Sequence, residues 1–311
     1  MMVVAKTNRL TLGPLLFHWP ENKRRDFYFR IAEETDIDTV YLGEVICSKR
    51  DPFFEPYYEE VEERLSKAGK EVVRSTLALI TTPREMQATR DICATAKGMI
   101  EANDVASIEA INGKPFVIGP LVNVFNEGAL AFLAQKGAKR LATLSELSLP
   151  AMQALTSAAK KLNIEMEIPV FGRQHLSISM RCYHARAHGL HKDGCQFVCQ
   201  ADTNGMPVQT LDEQDFIAVN GVQTLSHGYV ALTQELETLQ QAGVNYFRLS
   251  PHDTDMVQVA AVFRAALKGA SDATETFKKL QNLMPDVNFI NGYAQGVKGM
   301  AWEEARSSNQ L

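Results

Sequence analysis

Short apolar runs rich in Val, Ile, Leu and Phe alternate along this chain with stretches whose apolar residues recur every three or four positions. Runs of the first kind suit buried strands and stretches of the second suit amphipathic helices, so their alternation predicts repeated βα units around a parallel sheet. Candidate strands cover residues 12–17, 39–43, 72–79, 99–102, 116–124, 140–144, 165–171 and 246–250, with 216–221 as a further one. A helix over 21–34 follows Pro20, and Tyr57, Val61, Leu65 and Ala68 mark a helical face closed by Gly69. Pro83 opens the next helix. Asn126 is placed to cap a helix carrying Leu130, Leu133 and Ala134 that stops at Gly137. Ser148 and Pro150 start another, with a stripe of Met152, Leu155, Ala159 and Leu162. Leu232, Leu236 and Leu239 predict a helix ahead of the 246–250 strand, and Asp253 is expected to cap a last helix over 254–266. The tail beyond Ala270 is weakly periodic and ends in SSNQL, so it is expected to fray.

Eight or nine strands, most followed by a helix, point to an α/β protein built as a (β/α)8-like, TIM-type barrel. A doubly wound open sheet is the rival, disfavoured because no GxGxxG follows the first strand. The rhythm breaks after 171, where roughly seventy residues pass before the next clear strand; such an interval is too long for an ordinary βα loop. The expectation is a single barrel-like domain over 1–311 with an insertion at about 173–222.

Composition narrows the function classes. The 311 residues are 45% hydrophobic and 22% charged with a net charge of −5, which gives no broad affinity for nucleic acid or anionic membrane. No apolar run reaches the length of a membrane-spanning helix, and the first ten residues lack a signal-peptide pattern. A reducing, cytoplasmic setting is expected.

Only five cysteines occur, and three of them fall in one stretch as Cys182, Cys195 and Cys199. In such a setting grouped thiols point to metal ligation rather than disulfides, and the odd count agrees. Cys195 and Cys199 are four apart and would share one face of a helical turn. A remote fourth ligand is needed. Cys47 is the best candidate, because it follows the second strand while Cys182 follows the seventh, and a barrel opens both loops onto one face. Four thiolates suit tetrahedral zinc or an iron–sulfur cluster; the absence of Cys-x2-Cys pairs tilts the reading to a cluster. Cys93 lies among apolar helical neighbours and reads as a small buried hydrophobe.

Other candidates carry less. His184, His188 and His191 interleave with the cysteines and read as solvated loop residues rather than ligands. Arg181 and Arg186 flank Cys182 and suit thiolate neutralisation, an anionic substrate or a plain surface role. Glu44, Glu101, His18 and Asn123 close strands, where a carboxylate is a candidate acid or base. Arg248 is a charge inside an apolar strand and requires a carboxylate partner or a substrate. GxSxG, HExxH and P-loop motifs are absent.

The segments LGPLLFHWP, YLGEVICSKR, STLAL, RCYHARAHGLHKDGCQFVC, NGVQTLS and RLSPHDTD resemble the collagenase-like peptidase family over about residues 12–267. Within it, the resemblance is to members that serve oxygen-independent ubiquinone biosynthesis as iron–sulfur subunits paired with a UbiU-like partner. That resemblance implies a 4Fe-4S cluster on Cys47, Cys182, Cys195 and Cys199, a heterodimer, and ring hydroxylation without O2. It implies no proteolysis. Related members hydroxylate RNA with prephenate as the implied oxygen donor; the acidic balance here fits a quinone precursor better than RNA. The alternatives are a soluble peptidase and a scaffold with structural zinc.

Overall fold

The computed structural model describes residues 8–304. Eight strands close a parallel barrel: β1 Arg9–Leu12, β2 Thr39–Leu42, β3 Glu71–Ser75, β4 Ile100–Ala102, β5 Phe116–Ile118, β6 Ala138–Ala142, β7 Glu165–Ile178 and β11 Tyr246–Leu249. Each pairs with the next in parallel, and β11 closes the ring between β7 and β1. Between β7 and β11 lie β8 Met206–Gln209, β9 Asp215–Asn220 and β10 Gln223–Ala231. They form an antiparallel extension in the order β7-β10-β9-β8.

Alternation along the strands sorts side chains into two layers. Leu10, Leu12, Val40, Leu42 and Ile118 face outward into the main core against the helices. Tyr41, Val73, Val117 and Ala142 form a separate inner cluster. Much of the remaining barrel interior is charged. Arg248 donates from Nη2 to Glu101 (2.6 Å) and from Nε to Glu167 (2.8 Å). Glu167 also accepts from Thr11 Oγ1 (2.6 Å) and from the Tyr41 hydroxyl. Burial alone would raise the Glu167 pKa, but Arg248 and Arg140 outweigh it and hold the group below its ordinary value. Deeper in the barrel, Arg140 reaches the Tyr41 hydroxyl (3.3 Å), Glu71 (3.3 Å) and Glu165 (3.2 Å). Of the two partners left open for Arg248 by the sequence, a carboxylate or a substrate, the fold supplies a pair of carboxylates.

Several expected boundaries move for local reasons. The first strand ends at Leu12, where the expected one began, because Gly13-Pro14 follows and Pro14 has no N–H to donate. The buried Leu15, Phe17 and Trp19 instead pack with Ala218 and Leu225 under the extension. The fifth strand stops at Ile118, and a 3-10 turn, Pro120–Val122, leads to Asn123 in the left-handed region at φ 61°. Leu232 lies beyond β10 and before the helix Leu236–Ala242. Asp255, not Asp253, caps the helix Met256–Leu267 through the N–H groups of Val257 and Gln258.

The tail is ordered within the described residues. A helix, Ala273–Leu283, is capped by Asp272 and buries Thr276 and Leu280. The strand β12 Phe289–Ile290 then pairs in parallel with β10. Weak periodicity misled here because the segment is short and buried on one stripe only; the final SSNQL lies outside the described residues.

Replacing Arg248 by Met would leave Glu101 and Glu167 facing each other without their shared cation. Breaking a buried pair from one side costs about 3–5 kcal/mol, so R248M is expected to lower the urea midpoint substantially. Glu34→Gln, at an exposed pair with Arg30, serves as the control and should leave that midpoint in place.

Candidate functional site

Glu44 builds the first wall of the site. It follows β2 and Gly43, which lies so close to the Ser75 carbonyl that no Cβ would fit. The Glu44 carboxylate is buried and accepts the backbone N–H groups of Ile46 and Cys47, both at 3.0 Å. Burial raises its pKa, against the opposing pull of Arg50 and Arg24. Glu44 thus shapes the Cys47 loop instead of standing free as an acid or base. Ser48 ties the same loop to the helix Pro83–Thr95 by donating to Glu85 (2.7 Å).

The second wall comes from the segment between β7 and β8. Cys182 caps the short helix Tyr183–Ala187, its sulfur accepting from the Ala185 N–H at 3.4 Å. Cys195 follows a 3-10 turn, Lys192–Gly194, and Cys199 sits in another, Val198–Gln200. Between them Gln196 and Phe197 both adopt the left-handed region, at φ 49° and 54°. Cys195 and Cys199 therefore do not share a helical turn as their spacing suggested; the backbone loops between them. Left-handed conformations of non-glycine residues cost on the order of 1–2 kcal/mol each and persist only where surroundings impose them.

All four of Cys47, Cys182, Cys195 and Cys199 line one cavity of about 350 Å³, counting the part open to solvent. All four are free thiols. Neither a carboxylate nor an imidazole is among the lining residues. Burial pushes the thiols of Cys47, Cys182 and Cys199 upward, with Arg50 opposing it in each case. Arg50 is 2% exposed and is held by the Leu16 carbonyl (3.2 Å) and Asn220 Oδ1 (2.7 Å). Asn220 in turn donates to the carbonyls of Cys199 (3.0 Å) and Asp202 (2.9 Å). Gly221 passes so close to Arg50 that any side chain there would collide with the guanidinium. Lys49 straps the two walls together through the Lys192 carbonyl (2.7 Å) and Asp193 (2.9 Å). Among the described residues, no three His, Cys, Asp or Glu side chains converge tightly enough to hold one metal ion.

Residues 28–303 match the family model described as peptidase family U32. The chain belongs to that family. Solved structures similar to this U32 protein include tryptophan synthase from M. tuberculosis, at 12% identity over 94% of each chain with a TM-score of 0.42. Dihydropteroate synthase from Thermus thermophilus is 15% identical over 85% of this chain and 93% of that one, TM-score 0.42. A DAHP synthase from Thermotoga maritima is 9% identical over 92% and 72%, TM-score 0.42. Likenesses this distant say nothing of chemistry, and the barrel rests on the strand pairing itself.

The other sequence candidates separate clearly in the U32 barrel. Cys93 is buried in the main core near the Ser107 carbonyl, away from the cavity. His184, expected in solvent, is fully buried: its Nδ1 lies 3.1 Å from the Val219 carbonyl and its Nε2 3.0 Å from Asp202. It is a packing residue under the cysteine segment. His188 stacks on it and, like His191, is exposed, as are Arg181 and Arg186. His18 is buried between Phe53 and Phe197, and burial with nearby Arg50 and Arg24 lowers its pKa to about 4. Arg50 and Asn220 were missed by sequence reading. The signal available for Arg50 was its place three residues after Cys47; nothing local marks Asn220.

Glu85 supplies a pH test of the anchoring of the Cys47 loop. Burial alone would raise its pKa, but hydrogen bonds from Ser48, Thr81 and Thr82 bring it down to about 2. A carboxylate depressed in the folded state adds stability above its unfolded pKa and loses it as pH falls through the folded one. Between about pH 4.3, the free value, and pH 2, the protein should lose stability with acid. Glu85→Gln should flatten that part of a chemical-denaturation profile, and an unaltered slope would refute the anchoring role.

Proposed function

We propose that this U32 protein is a UbiV-type iron–sulfur subunit that works with a UbiU-like partner in oxygen-independent hydroxylation of ubiquinone precursors. The observation that carries the reading is the meeting of four free thiols, from loops 135 residues apart in sequence (Cys182 minus Cys47), around one cavity whose lining holds neither carboxylate nor imidazole. Four thiolates are the usual donor set of a 4Fe-4S cluster.

Cys47, Cys182, Cys195 and Cys199 would hold the cluster, which when bound supplies one-electron transfer. The chain's own residues account for the rest of the setting. Glu44 orients the Cys47 loop, and Arg50 brings a buried positive charge to a site that gains negative charge once its thiols are deprotonated. Val45, Ile46, Ala185 and Val222 pack against the cysteines, with Leu16 and Leu121 beside them, and limit water. Limited solvent access suits a centre that oxygen would otherwise damage. In this reading prephenate serves as the oxygen donor and the protein resides in the reducing cytoplasm. No described helix is long and apolar enough to cross a membrane.

Proteolysis is the reading that the family's description suggests. It lacks a serine or zinc-protease motif in the sequence, and cluster-free protein should leave unfolded gelatin intact.

Protein purified without oxygen should absorb broadly in the violet and carry about four irons and four sulfides per chain. Alanine at any one of the four cysteines should abolish iron retention, whereas Cys93→Ala should keep it. One tightly held zinc in a colourless protein would point to the structural-zinc scaffold instead, and full iron in Cys47→Ala would remove the fourth ligand from the proposal.

A further inference from the structure

Two buried guanidiniums lie near the Cys47 loop, and they are partnered differently. Arg24 sits 3.9 Å from the Glu44 carboxylate and over the Phe54 ring at 4.0 Å. Arg50 lines the cysteine cavity itself and is equally buried. Among the described residues no carboxylate forms an ion pair with it. Its nitrogens donate instead to two neutral acceptors, the Leu16 carbonyl at 3.2 Å and Asn220 Oδ1 at 2.7 Å. A buried cation without a counterion is costly, so this arrangement calls for negative charge beside it. The only acidic groups lining the cavity are the four thiols.

The guanidinium is also fixed in place. Gly221, in the left-handed region at φ 69°, passes against its Nη2 and leaves no room for a Cβ. Asn220 is buried and donates to the carbonyls of Cys199 (3.0 Å) and Asp202 (2.9 Å). Those two donations set the orientation of the amide and leave its oxygen to Arg50. On the other side, burial raises the pKa of the Cys199 thiol, and Arg50 opposes the rise by its charge and by a side-chain hydrogen bond. Lys49 lines the same cavity but differs. Its ammonium is paired with Asp193 at 2.9 Å and its side chain is 32% exposed, so water and a carboxylate screen it.

We propose that Arg50, clamped by Asn220, sets the reduction potential of the centre held by Cys47, Cys182, Cys195 and Cys199. The inference rests on the cluster assignment and deepens it, from what the thiols hold to how readily that centre takes an electron. Reduction brings in one electron from a low-potential one-electron donor; no bond forms or breaks, and no proton moves. A fixed cation at contact favours the more negative, reduced form and so raises the potential. Because a guanidinium stays charged at any working pH, this contribution is permanent.

The test is an equilibrium redox titration of the full-length chain, purified without oxygen, against viologen dyes. Arg50→Met should lower the equilibrium constant for one-electron reduction by about tenfold or more, a fall of about 59 mV per tenfold. Asn220→Asp keeps the arginine but sets a carboxylate against it, and should move the potential the same way. That variant decides the matter should Arg50→Met fold poorly or lose iron. Arg50→Lys keeps the charge and should retain most of the wild-type potential. Lys49→Gln removes a screened charge and should shift the equilibrium by less than about threefold. An unmoved potential in Arg50→Met or Asn220→Asp at full iron content would overturn the proposal. An equal fall in Arg50→Lys and Arg50→Met would also overturn it, marking Arg50 as a part of the wall and not as a charge. Iron counted on the same samples separates the two claims. Wild-type protein without iron sinks the cluster assignment and this inference with it, whereas full iron with an unmoved potential sinks this inference alone.

Discussion

A guanidinium shared between two carboxylates inside a closed barrel is the constraint around which this protein is arranged. Arg248 on β11 reaches Glu101 on β4 and Glu167 on β7, so the charges tie the closing strand to its neighbour β7 and across the interior to β4. A buried charge of this kind is expensive unless every partner is in place. The inward-facing Thr11 and Tyr41 complete the set on Glu167, and the Arg248 guanidinium lies over the Tyr41 ring at 4.0 Å. Barrel interiors of this type are commonly filled by branched apolar side chains; here much of the filling is ionic. Such a network tolerates only one register, and that register sets where the loops after β2 and β7 emerge.

The same logic, a buried charge whose partners are backbone groups, organises the cysteine cavity. Glu44 accepts from two consecutive N–H groups and so shapes the turn that carries Cys47. Arg50 crosses to the Leu16 carbonyl and to Asn220, joining the first, second and ninth strands' loops around the thiols. The antiparallel extension β8–β10 is what makes that crossing available, because Asn220 and Gly221 lie at its β9–β10 turn. The long interval between β7 and β11 is thus a sheet built on the tail of β7, with the cysteine segment held between that sheet and the barrel mouth.

Leu16, Val45 and Leu121 line a cleft at the barrel mouth and belong to the same apolar cluster as Cys47, Cys182 and Cys195. The cysteine cavity is lined by four free thiols with the buried Arg50 and by Lys49 and Lys192; the cleft is lined by both polar and apolar side chains.

Much of this was legible in the chain. Cys47 came in through the barrel topology that the βα rhythm implies, whereas the rhythm itself, the eight barrel strands and the group of Cys182, Cys195 and Cys199 follow from short-range patterns: apolar periodicity, turn residues, and a residue type used sparingly and in a group. These features survive because they depend on neighbours within a few residues. Most of what failed was decided at long range. Glu101 and Arg248 are 147 residues apart, and Glu167 and Arg248 81 apart; no periodicity could pair them before the barrel closed. His184 reads as a loop residue until β9 covers it, and Glu44 reads as a free carboxylate until its own turn folds back onto it. The tail looked unstructured because its one buried stripe has meaning only against β10. The identity of the elements and of the thiols was a property of the sequence by itself. The partners of every buried charge were decided by the tertiary structure, since solvation and charge pairing depend on what the closed fold brings within a few ångströms.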